Sequence, residues 1–275
     1  MKSILVPTDF SPFSNSATHV AAQIAAKTGA GIILMHNVGT FLKWDNMSTD
    51  EQERHPETYD RTLAAEAKMR ELSHDTMFDN VAVTPVVTHG VTDQEIVSKA
   101  AEYDADMIIM GSHGSESSTK NFIGSNLQRV LREANCPVLS IKKDAGERQW
   151  EKLVFAASFD EDLVKPFEQV RNIIADLGAT VHLTYVNMPS QFKNTRLVYE
   201  QMDRFASNYP ELKFVKAVYN QHDLDNGILE YSKDIHADWI AMITHDRRTS
   251  PEYLIGVTES VVYHADTPVL SVTID

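Results

Sequence analysis

The feature that most constrains this chain is that it contains itself twice. Residues 4–38 read ILVPTDFSPFSNSATHVAAQIAAKTGAGIILMHNV, and residues 153–187 read LVFAASFDEDLVKPFEQVRNIIADLGATVHLTYVN. In constant register Phe10 falls on Phe159, Gly29 on Gly178, Ala30 on Ala179 and Leu34 on Leu183. The later part repeats as well. DADMIIMGSHGSESSTKNFIGSNLQRVLREANCPVLSI at 104–141 matches HADWIAMITHDRRTSPEYLIGVTESVVYHADTPVLSVT at 236–273. There Asp106 pairs with Asp238, Met110 with Met242, His113 with His245 and Gly124 with Gly256. The second copy is shorter in the middle, where the first carries residues 44–60. At 275 residues the chain suits two domains of ordinary size. The charged, glycine-containing stretch DAGERQ at 144–149 is the expected linker, which gives domains 1–143 and 150–275.

Each copy alternates short apolar runs with amphipathic stretches. In the first, strands are expected at Ser3–Pro7, Gly31–Asn37, Val81–Thr88, Met107–Met110 and Val138–Ile141. Helices are expected at about Ser14–Thr28, Thr49–His74, Asp93–Tyr103 and Ile123–Glu133, the first stopping before Gly29. Strands spaced by helices imply right-handed crossovers and a parallel sheet covered on both faces.

The formal charge of −14 argues against nonspecific binding to nucleic acid or to anionic membranes, both of which are polyanions. No stretch approaches the ~20 apolar residues of a membrane span, and MKSILVPTDF has no apolar run of signal-peptide length. A cytoplasmic protein is therefore expected. The single cysteine, Cys136, excludes an intrachain disulfide and reads as a small buried hydrophobe before the run Val138–Ile141.

Ligands of open parallel sheets sit beyond the carboxyl ends of the strands, where neighbouring crossovers diverge. Pro7-Thr8-Asp9, Asn37-Val38 and Met110-Gly111-Ser112-His113-Gly114 end three such strands, and Gly124-Ser125-Asn126 opens the last helix. Glycines at Gly111 and Gly114 let backbone amides approach phosphate oxygens. A helix start offers unpaired amides and the positive end of the helix dipole. Asp9 is an acceptor placed to read an adenine amino group or a ribose hydroxyl. The same glycines also fit a tight structural loop, and Ser125 a plain first-turn residue.

The pattern Gly111-x2-Gly114-x9-Gly124-Ser125, the start ILVPTDFS and the ending NCPVLSI resemble the universal stress protein family in its tandem form. That resemblance covers nearly the whole chain. It implies two tandem Rossmann-like domains, each a five-stranded parallel sheet of the adenine nucleotide alpha hydrolase-like type with helices on both faces. It implies ATP as ligand, with Thr8, Asp9 and Asn37 at adenine and ribose. Gly111, Gly114, Gly124, Ser125 and Asn126 would hold ribose and phosphates, and Pro7, Met110 and His113 complete the expected cofactor-binding set. Asn37 departs from the aliphatic residue common at its position, which matters little if the backbone makes that contact. Mg²⁺ would arrive through the phosphates.

The second copy loses this chemistry. Ala156 replaces Pro7, Ser158 replaces Asp9, Ile243 replaces Gly111, Asp246 replaces Gly114 and Val257 replaces Ser125. A carboxylate near the phosphates costs about 4 kcal/mol at an effective dielectric near 20. Arg247 and Arg248 read as a solvated loop, the alternative being that they offset this cost in part. An empty second site is expected. His36, His89 and His113 gather near one sheet edge but lack the short spacing of a zinc site, so no metal site is expected.

No Gly-x4-Gly-Lys-Ser/Thr loop, nucleophile elbow or paired-carboxylate motif stands beside the glycines. An ATP-binding regulatory protein acting on an unidentified protein partner is the leading reading. A weak ATPase, with His113 orienting a water, is the enzymatic alternative. A third reading is a nucleotide-free binder that uses the altered pocket of the second copy for an apolar or cationic ligand. Family domains pair through their last strands, here Pro137–Lys142 and Pro268–Thr273. The chain is thus expected to form an internal pseudo-dimer, with further homodimerisation open.

Overall fold

The computed structural model describes residues 1–113, 123–142, 146–159, 163–245 and 256–274. In chain order the first half comprises β1 (Ser3–Pro7), α1 (Pro12–Thr28), β2 (Gly31–Gly39), α2 (Thr49–Gln52), α3 (Pro56–Ser73), β3 (Val83–Gly90), α4 (Thr92–Glu102), β4 (Met107–Gly111), α5 (Ser125–Glu133) and β5 (Val138–Ile141). The second half repeats the plan with β6 (Lys152–Ala156), α6 (Val164–Leu177), β7 (Thr180–Asn187), α7 (Thr195–Ala206), β8 (Lys213–Asn220), α8 (Leu224–Asp234), β9 (Trp239–His245), α9 (Val257–His264) and β10 (Val269–Ile274).

The strands form one ten-stranded sheet in the order β3-β2-β1-β4-β5-β10-β9-β6-β7-β8. Every neighbouring pair is parallel except β5 and β10, which run antiparallel with Leu139 opposite Leu270. The two last strands thus join the copies edge to edge, removing two unpaired ladders that would otherwise recruit other chains. Successive residues of β1 face opposite cores: Ile4 and Val6 join one apolar cluster, Leu5 the other. This is the signature of a strand buried on both sides. Each cluster runs through both halves without interruption, one under α1 and α6, the other under α4, α5, α8 and α9.

Duplication also shows in the backbone. Phe10 and Phe159 carry positive φ values of 62° and 59°, Asp104 and His236 values of 48° and 53°. The αL residues Gly29 and Gly178 close α1 and α6, where a glycine meets no Cβ penalty. Ser11 caps α1 by accepting the Ser14 amide at 3.3 Å, and Pro12 follows at the first helical position.

The stretch expected to be one helix over Thr49–His74 is two, α2 and α3. Pro56 lacks an amide hydrogen and disfavours a helical residue before it, so α3 starts afresh there. Trp44, at the head of the 44–60 segment, is buried and packs its ring 5.5 Å from that of His89. The segment is therefore anchored to the end of β3. Within the linker, Gly146 accepts from the Gln23 side chain, whose oxygen takes the Arg148 amide at 3.2 Å. Cys136 packs partly buried against the second cluster, and burial pushes its thiol up to about 12, which keeps it protonated.

Candidate functional site

A cleft of about 560 Å³ opens at the carboxyl edge of the first half, between β1 and β4, where the strand order reverses. Pro7, Thr8, Asp9, Asn37, Met110, Gly111, His113, Gly124, Ser125 and Asn126 all line it. Gly114 lies outside the described residues.

The β1–α1 turn is a closed hydrogen-bond circuit. The Thr8 hydroxyl accepts the Phe10 amide at 3.1 Å and donates to Ser14 Oγ at 3.2 Å; Ser14 donates on to the Ser11 carbonyl at 3.0 Å. Asp9 Oδ1 accepts the Ser11 amide at 3.0 Å. These bonds hold Phe10 in its left-handed conformation and fix the Asp9 carboxylate at the cleft wall. His36 donates from Nδ1 to the Thr8 carbonyl at 2.7 Å and stacks on Phe10 with centroids 4.6 Å apart. Burial holds its imidazole below the usual histidine range, against the opposing pull of that hydrogen bond and of Asp9. The ring is therefore neutral at pH 7, with its proton on Nδ1.

Asn37 turns its side chain away from ligand chemistry. Its amide donates to the Gly90 carbonyl at 3.1 Å and to Thr92 Oγ1 at 2.9 Å, and its oxygen accepts from Thr88 Oγ1 at 3.0 Å. The backbone is another matter. Along β2, Gly31 bonds to Lys2 of the β1 side and Ile32 to Ala82 of the β3 side, while the Met35 carbonyl accepts the Thr8 amide. Alternation then turns the Asn37 amide and carbonyl toward β1, which has already ended at Pro7, so they face the cleft.

At the opposite wall the glycines act differently from one another. A Cβ on Gly111 would lie 2.8 Å from the Phe13 carbonyl carbon and 2.9 Å from its oxygen. Gly111 is thus required by the close approach of α1, a reason that the phosphate argument did not contain. Gly124 caps α5 with no side-chain cap, its own amide bonding to the Ser112 carbonyl at 2.8 Å. No acidic residue stands in the first turn of α5, so the positive end of that helix meets the cleft without a built-in counter-charge. His113 is buried, its Nδ1 2.8 Å from Ser112 Oγ and its ring 5.0 Å from Phe13. The other histidine once grouped with these, His89, is engaged elsewhere: Nδ1 meets Asp45 at 2.8 Å and Nε2 meets Thr62 at 3.0 Å.

Several lining residues lie outside the sequence motif, two of them polar and on helices far from it in sequence. Arg61 of α3 and Thr92 of α4 reach the cleft only because those helices dock beside β2 and β3.

The second half keeps a smaller cleft, about 280 Å³, at the counterpart position. Ala156, Ser158, Ile243, Gly256 and Val257 line it where Pro7, Asp9, Gly111, Gly124 and Ser125 line the first. Asp246, Arg247 and Arg248 lie outside the described residues. What the motif comparison missed is Glu259. Its Oε2 accepts the Gly256 amide at 3.2 Å, so the first turn of α9 carries its own carboxylate. Arg132, from α5 of the first half, clasps Oε1 of the same carboxylate through Nη2 at 2.6 Å and Nε at 3.2 Å. The Gly-x-x-Glu spacing at a helix start was the available signal.

A ten-stranded sheet of two repeated α/β halves, each with a cleft at the carboxyl edge, defines a tandem Rossmann-like protein. The universal stress protein family model matches residues 1–142 and again 149–273, so the chain belongs to the universal stress protein family, as two domains in tandem. A universal stress protein of Methanocaldococcus jannaschii is 28% identical over 155 residues, covering 52% of this chain and 95% of that protein. A second from the same organism is 29% identical over 154 residues, covering 53% of this chain and 85% of the relative. Among solved structures, a universal stress protein from Archaeoglobus fulgidus superposes with a TM-score of 0.76 at 18% identity, over 98% of each chain. This last likeness concerns the fold. Among the described residues no helix is long and apolar enough to cross a membrane.

Proposed function

We propose that the protein binds ATP in the cleft of its first half, leaves the counterpart cleft free of nucleotide, and uses occupancy to signal to a protein partner in the stress response. The observation that carries this is the contrast between α5 and α9. Gly124 opens α5 at the cleft with no acid in the helix's first turn, whereas Glu259 already supplies an anion to α9. A phosphate group would satisfy the first terminus and be repelled from the second.

The rest of the first cleft suits an adenine nucleotide. The Asn37 backbone offers one donor and one acceptor side by side, the pairing that an adenine edge requires. Asp9 stands across from it for the amino group or a ribose hydroxyl. About 560 Å³ is within the ~300–1,000 Å³ usual for such ligands. Arg61 adds a cation at the wall. Mg²⁺ would be carried by the phosphates themselves. Chain division at residues 143 and 150, placing one site in each domain, belongs to the same reading.

Titration calorimetry with MgATP tests it on wild type and on Ser125→Asp, which gives α5 an acid at its start as α9 has one. Wild type binds, and the variant loses about ten-fold or more in affinity. Unchanged affinity in Ser125→Asp, with the fold intact by circular dichroism, overturns the assignment of the phosphates to α5.

A further inference from the structure

We propose that the cleft of the second half is a binding site for a small, neutral, largely apolar molecule. It rests on that cleft's own lining, and it holds whether or not the first cleft takes ATP.

The two clefts are built from matching positions, and although Thr184 and Glu259 stand where the first has Met35 and Leu127, more positions have changed toward apolar side chains than away from them. Leu163 stands where the first has Ser14, Val186 where it has Asn37, Met188 where it has Gly39, Leu224 where it has Thr92 and Ile243 where it has Gly111. Five positions that carry a hydroxyl, an amide or no side chain in the first half carry apolar side chains in the second. A site that had merely decayed would be expected to close, because larger apolar side chains pack against one another. Here a cavity of about 280 Å³ remains.

Charge complementarity sets what fits. The two ionic groups among the described lining residues, Glu259 and Arg132, neutralise each other at 2.6 Å, and Glu259 also satisfies the Gly256 amide at the start of α9. Two polar groups of the wall are turned to the protein: the buried Thr184 hydroxyl donates to the His182 carbonyl at 3.0 Å and Tyr185 to the Gln191 carbonyl at 3.1 Å. Among the described lining residues an ion entering this space would lose its hydration and meet only this already paired charge, whereas an uncharged ring or short aliphatic chain exchanges water for aliphatic contacts. The site also spans the two halves, since Leu131 and Arg132 of α5 form part of its wall.

The test is a fluorescence titration of the full chain with the neutral probe N-phenylnaphthylamine, beside anilinonaphthalene sulfonate, which has the same rings and a negative charge. The neutral probe is expected to bind one per chain, saturably, with micromolar affinity, undisplaced by MgATP. The sulfonate is expected to bind about ten-fold or more weakly. Ala157→Phe, which fills the cleft, and Val257→Asp, which charges it, are each expected to lower affinity for the neutral probe by about ten-fold. Their thermal melts report separately on folding. Displacement of the probe by MgATP, equal binding of the sulfonate, or undiminished affinity in a folded Ala157→Phe or Val257→Asp chain each overturns the proposal. Absence of saturable enhancement does so too.

Discussion

Arg132 and Glu259 meet across the junction of the two halves, guanidinium Nη2 to carboxylate Oε1 at 2.6 Å, although the sequence separates them by most of a domain. One copy's last helix thereby fastens the anion that occupies the other copy's helix terminus. The carboxylate is largely buried, with side-chain exposure of 11%, and the guanidinium is half exposed at 47%. Arg132→Ala leaves a buried charge with one amide partner, so we expect a loss of about 1–2 kcal/mol, the low end for such pairs because solvent already screens the arginine. A double-mutant cycle with Glu259→Gln in urea denaturation measures the coupling. A coupling indistinguishable from zero contradicts the account.

The continuity of both apolar clusters through the sheet predicts that the halves unfold together. Leu270 is fully buried opposite Leu139 at the junction. Leu270→Ala is expected to cost about 2–5 kcal/mol and to shift a single transition. Two resolved transitions, only one of them moved by the substitution, would show that each half folds by itself.

Gly111→Ala tests why that glycine is needed. The added methyl would press on the Phe13 backbone at 2.8 Å, and backbone cannot swing aside as a side-chain tip can. A destabilisation of about 1–3 kcal/mol is expected, visible in thermal melts without nucleotide. A variant as stable as wild type in the absence of ligand, yet weak for ATP, would return the glycine to the phosphate role alone.

Much of this architecture was legible beforehand. β1 and β5 are found at Ser3–Pro7 and Val138–Ile141 because short, wholly apolar runs between helices have few other fates in a parallel sheet. Gly29 ended α1 as its position foretold. Where local pattern met tertiary packing, it was less informative. Pro56 divides a helix that periodicity joined, and Trp44 is buried in a stretch whose composition is polar. The packing reason for Gly111 was hidden because its neighbour Phe13 is distant in sequence. Arg61 carried no motif at all, and Arg132 acquires its role only when β5 and β10 bring the copies together.

His36 links the cleft to pH. Its neutral form is favoured in the fold, chiefly by burial, so the unfolded chain binds the proton more readily. Stability attributable to His36 is therefore intact above the ordinary histidine range near pH 6.5 and declines as pH falls from there toward the lower folded-state midpoint. Proton NMR titration of the His36 ring should give a midpoint below that of a free histidine. A midpoint above it contradicts the burial argument.

The central claim is that one half of a duplicated chain holds nucleotide and the other does not. Titration calorimetry of nucleotide-stripped protein with MgATP measures this directly as a stoichiometry. One site per chain, weakened by Asp9→Ala and unaffected by Ser158→Ala, is the predicted result. Two sites per chain, or none at millimolar ATP, would contradict it.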